Sequence, residues 1–223
     1  MTVRPGPQAV PARFPWRPPS PLRPRHVTEM VTEGTRFRQQ DGTVVTVERV
    51  GAGTVRLPSG RLVVADPGWL DADSVPLADR VAPGTHPVDV FQVAGMTVAA
   101  RVSVAGAPVT SWHLALQEGD HELVLGDGEF NGNPVDTATI ALVDATGVEA
   151  YSQAEIEKAM DGIADRAVFR TISDEKTGTD AVIVPGWTDG AYPAWLGRAA
   201  DGAISCVVVD FMSPELSDAT PVR

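Results

Sequence analysis

The stretch that most limits what this chain can become is residues 186–211. An aromatic run holding Tyr192, Trp195 and Leu196 is separated from the apolar run 204–209 by Asp201-Gly202, a pair suited to a tight reversal. Two β-type runs joined through Asp-Gly form the strongest short-range hairpin signal a sequence carries. No charge enters the second run before Asp210. It therefore predicts a strand covered on both faces, central in its sheet.

The rest of the chain agrees with a β-rich fold. Residues 36–40, 43–50, 55–57, 61–65, 88–94, 97–105, 109–117, 121–125, 135–143 and 181–184 read as short strands. Turn residues punctuate them: Asp41-Gly42, Gly51-Ala52-Gly53, Pro58-Ser59-Gly60, Gly95 and Gly106-Ala107-Pro108. The strands from 88 to 117 are spaced as consecutive hairpins. Residues 75–81 suit a short helix, and 171–180 a polar loop. One main helix is expected over about 152–167. Ser152 and Glu155 have capping-box spacing, and Ile156, Met160, Ile163 and Ala167 then recur every three to four residues. The expected fold class is mainly β (α+β), with antiparallel strands in a meander or sandwich-like arrangement.

Residues 1–28 hold eight prolines, five arginines and no acid. Such a composition predicts a disordered or polyproline II arm, with docking into a groove-type partner as its sharper reading. The division expected is an arm over 1–28, a single β-rich domain over 29–212 and a polar tail over 213–223. A length of 223 residues suffices to bury roughly 70% of the unfolded surface in one core. The formal net charge of −11 argues against nucleic acid or anionic membrane as partners, because both select basic surfaces. Cys206 is the one cysteine, so no disulfide framework exists and a cytoplasmic setting is expected. No stretch of about 18 apolar residues offers a membrane span. A protein partner is the expected one, and oligomeric state is not legible.

Several motifs resemble those of the bacterial family known as domain of unknown function 4241. They are Leu57-Pro58-Ser59-Gly60, Asp66-Pro67, Pro83-Gly84-Thr85-His86-Pro87-Val88, Arg101, Trp112 with Ala115, Pro134-Val135-Asp136, Asp144, Asp189-Gly190-Ala191-Tyr192-Pro193 and the run 202–211. The resemblance spans roughly residues 55 to 211. It implies a fold rather than an activity. One position departs from it: Ala138 stands where the family favours glycine.

No nucleophile elbow, P-loop or dinucleotide fingerprint is present, and the histidines, His113 among them, lack metal-ligand spacing. Cys206, inside a buried strand, is a poor nucleophile. Asp127, Glu129 and Asn131, with Gly132 at the sixth position, begin like a calcium loop, but the twelfth position is Ala138 instead of a bidentate glutamate. The expected cofactor is none, with a divalent metal as the alternative. Arg101, Asp136, Asp144, Asp189 and Asp210, with Asp66 as an outlier, lie in or at the ends of apolar runs, where a charge needs a partner. They form the candidate polar cluster, with Arg101 and Asp136 expected as an ion pair. Trp187, Tyr192 and Trp195 form the candidate binding surface. The expected function is a non-catalytic binding or accessory domain; the alternative is a metal-dependent hydrolase using Asp136, Asp144 and Asp189.

Overall fold

A computed structural model describes residues 22–120, 127–164 and 168–222. The hairpin forms as its sequence requires. Strand β12 (Ala194–Arg198) runs antiparallel to β13 (Ile204–Asp210), with Trp195 opposite Val208 and Leu196 opposite Val207. On its other side β13 pairs with β5 (Met96–Ser103), so it is central.

Eight strands make the larger sheet, in the order β14 (Thr220–Pro221), β1 (Arg36–Arg38), β2 (Val44–Leu57), β4 (Gly84–Val93), β5, β13, β12 and β6 (Ser111–Leu114). Four make a second: β3 (Leu62–Ala65), β8 (Thr139–Asp144), β10 (Thr179–Pro185) and β9 (Arg170–Asp174). A two-stranded ribbon pairs β7 (Asn133–Val135) with β11 (Gly190–Tyr192). All these pairings are antiparallel, so the fold is mainly β.

Side-chain alternation turns the sheets into layers. Val207 and Val209 of β13 join Val88, Val90, Ala100 and Val102 in a core shared with Leu62, Val64, Ile140, Leu142, Val182 and Val184 of the smaller sheet. Cys206 and Val208 face the other way, into a second core with Phe37, Phe91, Val93 and Trp195. That core is covered by the short helix α1 (Val27–Met30) and by the C-terminal segment through Ala219. On the far side of the smaller sheet, Val63, Val143 and Ala181 meet Tyr151 and Ile156, the latter from α2 (Gln153–Ala164). Each fully buried side chain of this kind contributes about 1.5–3 kcal/mol.

The capping box of α2 is present: Ser152 N and Oγ donate to Glu155 Oε2 at 2.9 and 2.6 Å, and Glu155 N donates to Ser152 Oγ at 3.3 Å. Of the positions expected in this helix, 165–167 lie outside the described residues, as does the expected strand 121–125.

Four local expectations are corrected. Gly51-Ala52-Gly53 does not turn the chain; it is a bulge inside the single long β2, where pairing with β4 shifts between Gly51 and Gly53 and Gly53 takes φ +88°. Residues 75–81 are not helical but an extended strap, because Leu77 N bonds Leu62 O at 2.8 Å and Ala78 N bonds Leu116 O at 2.8 Å. The polar stretch 171–180 is loop only at the turn 175–178; β9 runs to Asp174 and β10 starts at Thr179, and the whole reads as loop because β9 is a largely exposed edge strand. β6 is not hairpinned to β5. The β12–β13 hairpin inserts between them.

The boundary expected at residue 28 falls within packed structure. Val27 is 2% exposed, and Trp112 Nε1 donates to Thr28 Oγ1 at 2.9 Å. Of the arm, residues 1–21 lie outside the described residues. The segment after residue 212 is packed as well: Ser213 and Ala219 are buried, and β14 pairs with β1.

Candidate functional site

Between α1 and the C-terminal segment, over the outer face of the larger sheet, lies a cavity of about 260 Å³. Its walls are apolar: Leu22 and Met30 from one side, Phe37 from β1, and Met212 and Leu216 from the other. The walls also carry two polar groups of special interest, both delivered by the hairpin. Trp195 is 1% exposed, and its buried indole N–H acts on the Asp210 carboxyl without forming a close hydrogen bond. Asp210, at the end of β13, has its carboxyl pushed above the ordinary range by burial, against the smaller opposing pull of the Met212 N–H and of Trp195. Its Oδ1 accepts from Met212 N at 2.8 Å. Among the described residues it has no ion-pair partner within 4.0 Å. Arg23 and Arg25, both exposed, half-buried His26, and Ser213 and Ser217 complete the lining. Arg25 Nη1 is tied to Ser217 O at 3.0 Å, and the His26 ring meets Phe37 edge-on at 6.1 Å.

This places the expected site residues in different parts of the molecule. The Arg101–Asp136 pair is corrected. Arg101 Nη2 bonds Asp89 Oδ2 at 2.7 Å, its guanidinium lies 5.0 Å from the centre of the Phe91 ring, and Nη1 donates to Val31 O at 3.2 Å. Alternation on β5 sends Ala100 and Val102 into the core between the sheets and Arg101 to the opposite face. Asp136 follows β7 on the side of the smaller sheet and is exposed. It stands with exposed Asp189 at the end of the ribbon where Gly190 pairs with Val135.

Asp66 and Asp144 are fully buried, and both are saturated. Asp66 Oδ1 accepts Gly68 N at 2.7 Å, while Oδ2 accepts Asp136 N, Thr137 N and Thr137 Oγ1 at 2.7, 2.8 and 2.9 Å. Asp144 accepts Ser59 N and Oγ at 2.9 and 2.8 Å and Thr146 N and Oγ1 at 2.9 and 2.6 Å. Each carboxylate caps a single 3-10 turn, Pro67–Trp69 or Ala145–Gly147, and ties it to a distant loop. Four donors each and full burial commit both carboxylates to holding loops.

The aromatic surface is corrected too. Tyr192 is 2% exposed with its hydroxyl bonded to Thr188 O, and Trp195 belongs to the cavity lining. Trp187 alone of the three is exposed, at 43%, and its Nε1 donates to Phe211 O at 2.7 Å. The loop with Asp127, Glu129 and Asn131 lies near the start of the described chain, where Leu22 N bonds Glu129 O at 2.8 Å. His113 is exposed on β6 and contacts Ser111 Oγ at 3.1 Å. Burial pushes the Cys206 thiol up to about 11, which removes it as a nucleophile at neutral pH.

Residues 55–209 match the family described as protein of unknown function (DUF4241). The chain belongs to this family. No curated protein and no solved structure matches it. Within the DUF4241 region, the motif residues act as fasteners: Asp66 and Asp144 hold loops, and Arg101 and Trp112 hold the segment 27–31 that precedes the matched region. Gly60 of Leu-Pro-Ser-Gly takes φ +69° and sits against the Val81 carbonyl, where a Cβ would collide. Ala138, where the resemblance leads one to expect glycine, has φ +50°, a left-handed conformation that glycine adopts without a Cβ penalty.

Sequence reasoning missed Asp89 and the Arg56–Asp180 pair. Asp180 accepts Arg56 Nε and Nη2 at 3.1 and 2.9 Å and Ser173 Oγ at 2.7 Å. Burial pushes its carboxyl up, but Arg56 and Ser173 more than offset that and hold it below its ordinary value. The available signal was the one used for Arg101: a lone charge within an apolar run.

Proposed function

We propose that this DUF4241 domain is a non-catalytic binding protein of the cytoplasm, whose ligand is a small molecule held in the cavity between residues 22–30 and 210–217. One observation carries the reading. A cavity of about 260 Å³ with mostly apolar walls carries the desolvated carboxyl of Asp210, which has no cationic side chain within 4.0 Å among the described residues. A ligand bringing a hydrogen-bond donor to that wall compensates the carboxyl. An apolar pocket with a few convergent polar groups and a perturbed carboxyl is the usual form of a small-molecule site. The hydrolase reading draws no such support. Asp144 is saturated by its own loops, and Asp136 and Asp189 are exposed on a ribbon apart from this cavity.

The test is mass spectrometry of the small molecules released on denaturing protein purified from its native cell. A compound in stoichiometric yield from the wild type, absent from a Leu216→Trp variant that fills the cavity, is the expected result. Equal compound profiles from both proteins would overturn the reading.

A further inference from the structure

We propose that a second surface, apart from the cavity, is a docking face for this chain's own N-terminal arm: residues 13–21, Arg-Phe-Pro-Trp-Arg-Pro-Pro-Ser-Pro, dock in polyproline II form across the exposed face that carries Trp69, Asp136, Trp187 and Asp189.

Three contacts assemble that face. Asp66 gathers one part of it, with one oxygen accepting from Gly68 N, next to Trp69, and the other from Asp136 N and Thr137 N. Gly190 pairs with Val135, which sets Asp189 beside Asp136. Gly186 N donates to Ala138 O at 2.7 Å and so brings in Trp187. Trp69 is 50% exposed and Trp187 43%, although tryptophan is ordinarily among the more buried residues. Asp136 and Asp189 are exposed, and among the described residues neither has a cationic side chain within 4.0 Å. Exposed indoles beside unpaired carboxylates suit a segment that brings pyrrolidine rings and guanidinium groups together, because proline-rich segments dock on aromatic surfaces and arginine pairs with both carboxylates and ring faces.

The arm has that chemistry. Residues 1–21 hold seven prolines, three arginines and no acid. Polyproline II has three residues per turn, so Pro15, Pro18 and Pro21 fall on one edge, and the edges on either side of it carry Arg13 and Arg17. The tether is short as well. Leu22 N donates to Glu129 O at 2.8 Å, and Leu22 shares the cavity wall with Met212. Met212 follows Phe211, whose carbonyl accepts the Trp187 indole N–H at 2.7 Å. One cavity width and one residue thus separate Leu22 from Trp187, whereas nine residues of polyproline II extend about 28 Å. A segment on so short a tether has an effective concentration on the order of millimolar, which favours it over a separate partner of like composition.

Photocrosslinking tests the placement. Full-length protein carrying p-benzoylphenylalanine in place of Phe14 is illuminated at low concentration and digested, and the adducts are mapped by mass spectrometry. Adducts within one chain, to peptides holding Trp69, Asp136 or residues 187–190, are expected. Arg13→Glu with Arg17→Glu should cut their yield about fivefold or more, and so should Asp136→Lys with Asp189→Lys; the four substitutions together should restore it, since each face then meets its opposite charge again. Circular dichroism confirms that the charge-reversed proteins are folded. Absent adducts, adducts scattered over the surface, or a yield indifferent to both reversals would overturn the inference. Adducts between two copies overturn it as well, and give the face to a second chain.

Discussion

Ala138 carries a methyl group in a left-handed backbone, at φ +50°, and its carbonyl accepts Gly186 N at 2.7 Å. The turn is held from outside by Asp66, which fastens Asp136 and Thr137, so the backbone has no freedom to relax. Ala138→Gly should therefore stabilise the protein by about 0.5–1 kcal/mol, the left-handed penalty less the extra entropy glycine loses on folding. Urea unfolding with an unchanged slope and a higher midpoint is the readout, and a lower midpoint refutes it. Two aspartates make opposite contributions with pH. Asp180 titrates below its ordinary 3.8 when folded, so its contribution is present above that value and fades as pH falls through the folded one. Asp210 titrates above 3.8 when folded, so its contribution is present below 3.8 and is lost as pH rises through the folded value. Relative to wild type, Asp180→Asn should then be most destabilising near pH 7 and less so near pH 3. Asp210→Asn should compare better with wild type at pH 7 than at pH 3. Parallel stability curves for a variant and wild type would show that its carboxyl is not shifted.

Pairing between β4 and β5 explains why Arg101 found a partner that simple register does not offer. The hairpin closes with Val93 opposite Met96, but the register shifts between Phe91 and Gln92, so Asp89 rather than Val88 stands opposite Arg101. A single bulge thus creates the cross-strand ion pair, with Asp89 also within 3.4 Å of Arg49. A double-mutant cycle with Arg101→Met and Asp89→Asn should give a coupling of about 1–3 kcal/mol, whereas Arg101→Met with Asp136→Asn should be additive. Coupling in the second cycle and none in the first would reverse the assignment. The same bulge was invisible beforehand, since nothing in Val-Phe-Gln-Val announces it.

For the molecule as a whole, α1 and the C-terminal segment close the second core and build two sides of the cavity. Removing residues 1–28 takes away Val27, leaves Trp112 Nε1 without its acceptor on Thr28 and opens the cavity beside Leu22. Melting temperature should fall by more than about 4 °C, equivalent to at least about 1–2 kcal/mol at this size. An unchanged melting temperature would mean that these contacts contribute nothing in solution.

Local signals were enough for much of this protein. Asp201-Gly202 between two β-type runs specified the hairpin, the unbroken run ending at Asp210 specified a central strand, and Ser152 with Glu155 started α2; each is a property of a few adjacent residues. The order of motifs carried the family. What sequence could not decide was which distant pieces meet. Insertion of the hairpin between β5 and β6, the facing of Arg101 away from Asp136, and the meeting of residues 22–30 with 210–217 around Trp195 all join segments far apart in the chain. Asp66, Asp144 and Asp210 look alike as aspartates at strand ends. Two became saturated fasteners and one a desolvated group on a cavity wall, because hydrogen-bond donors from remote loops reached the first two, while Asp210 received the N–H of Met212 in its own chain segment.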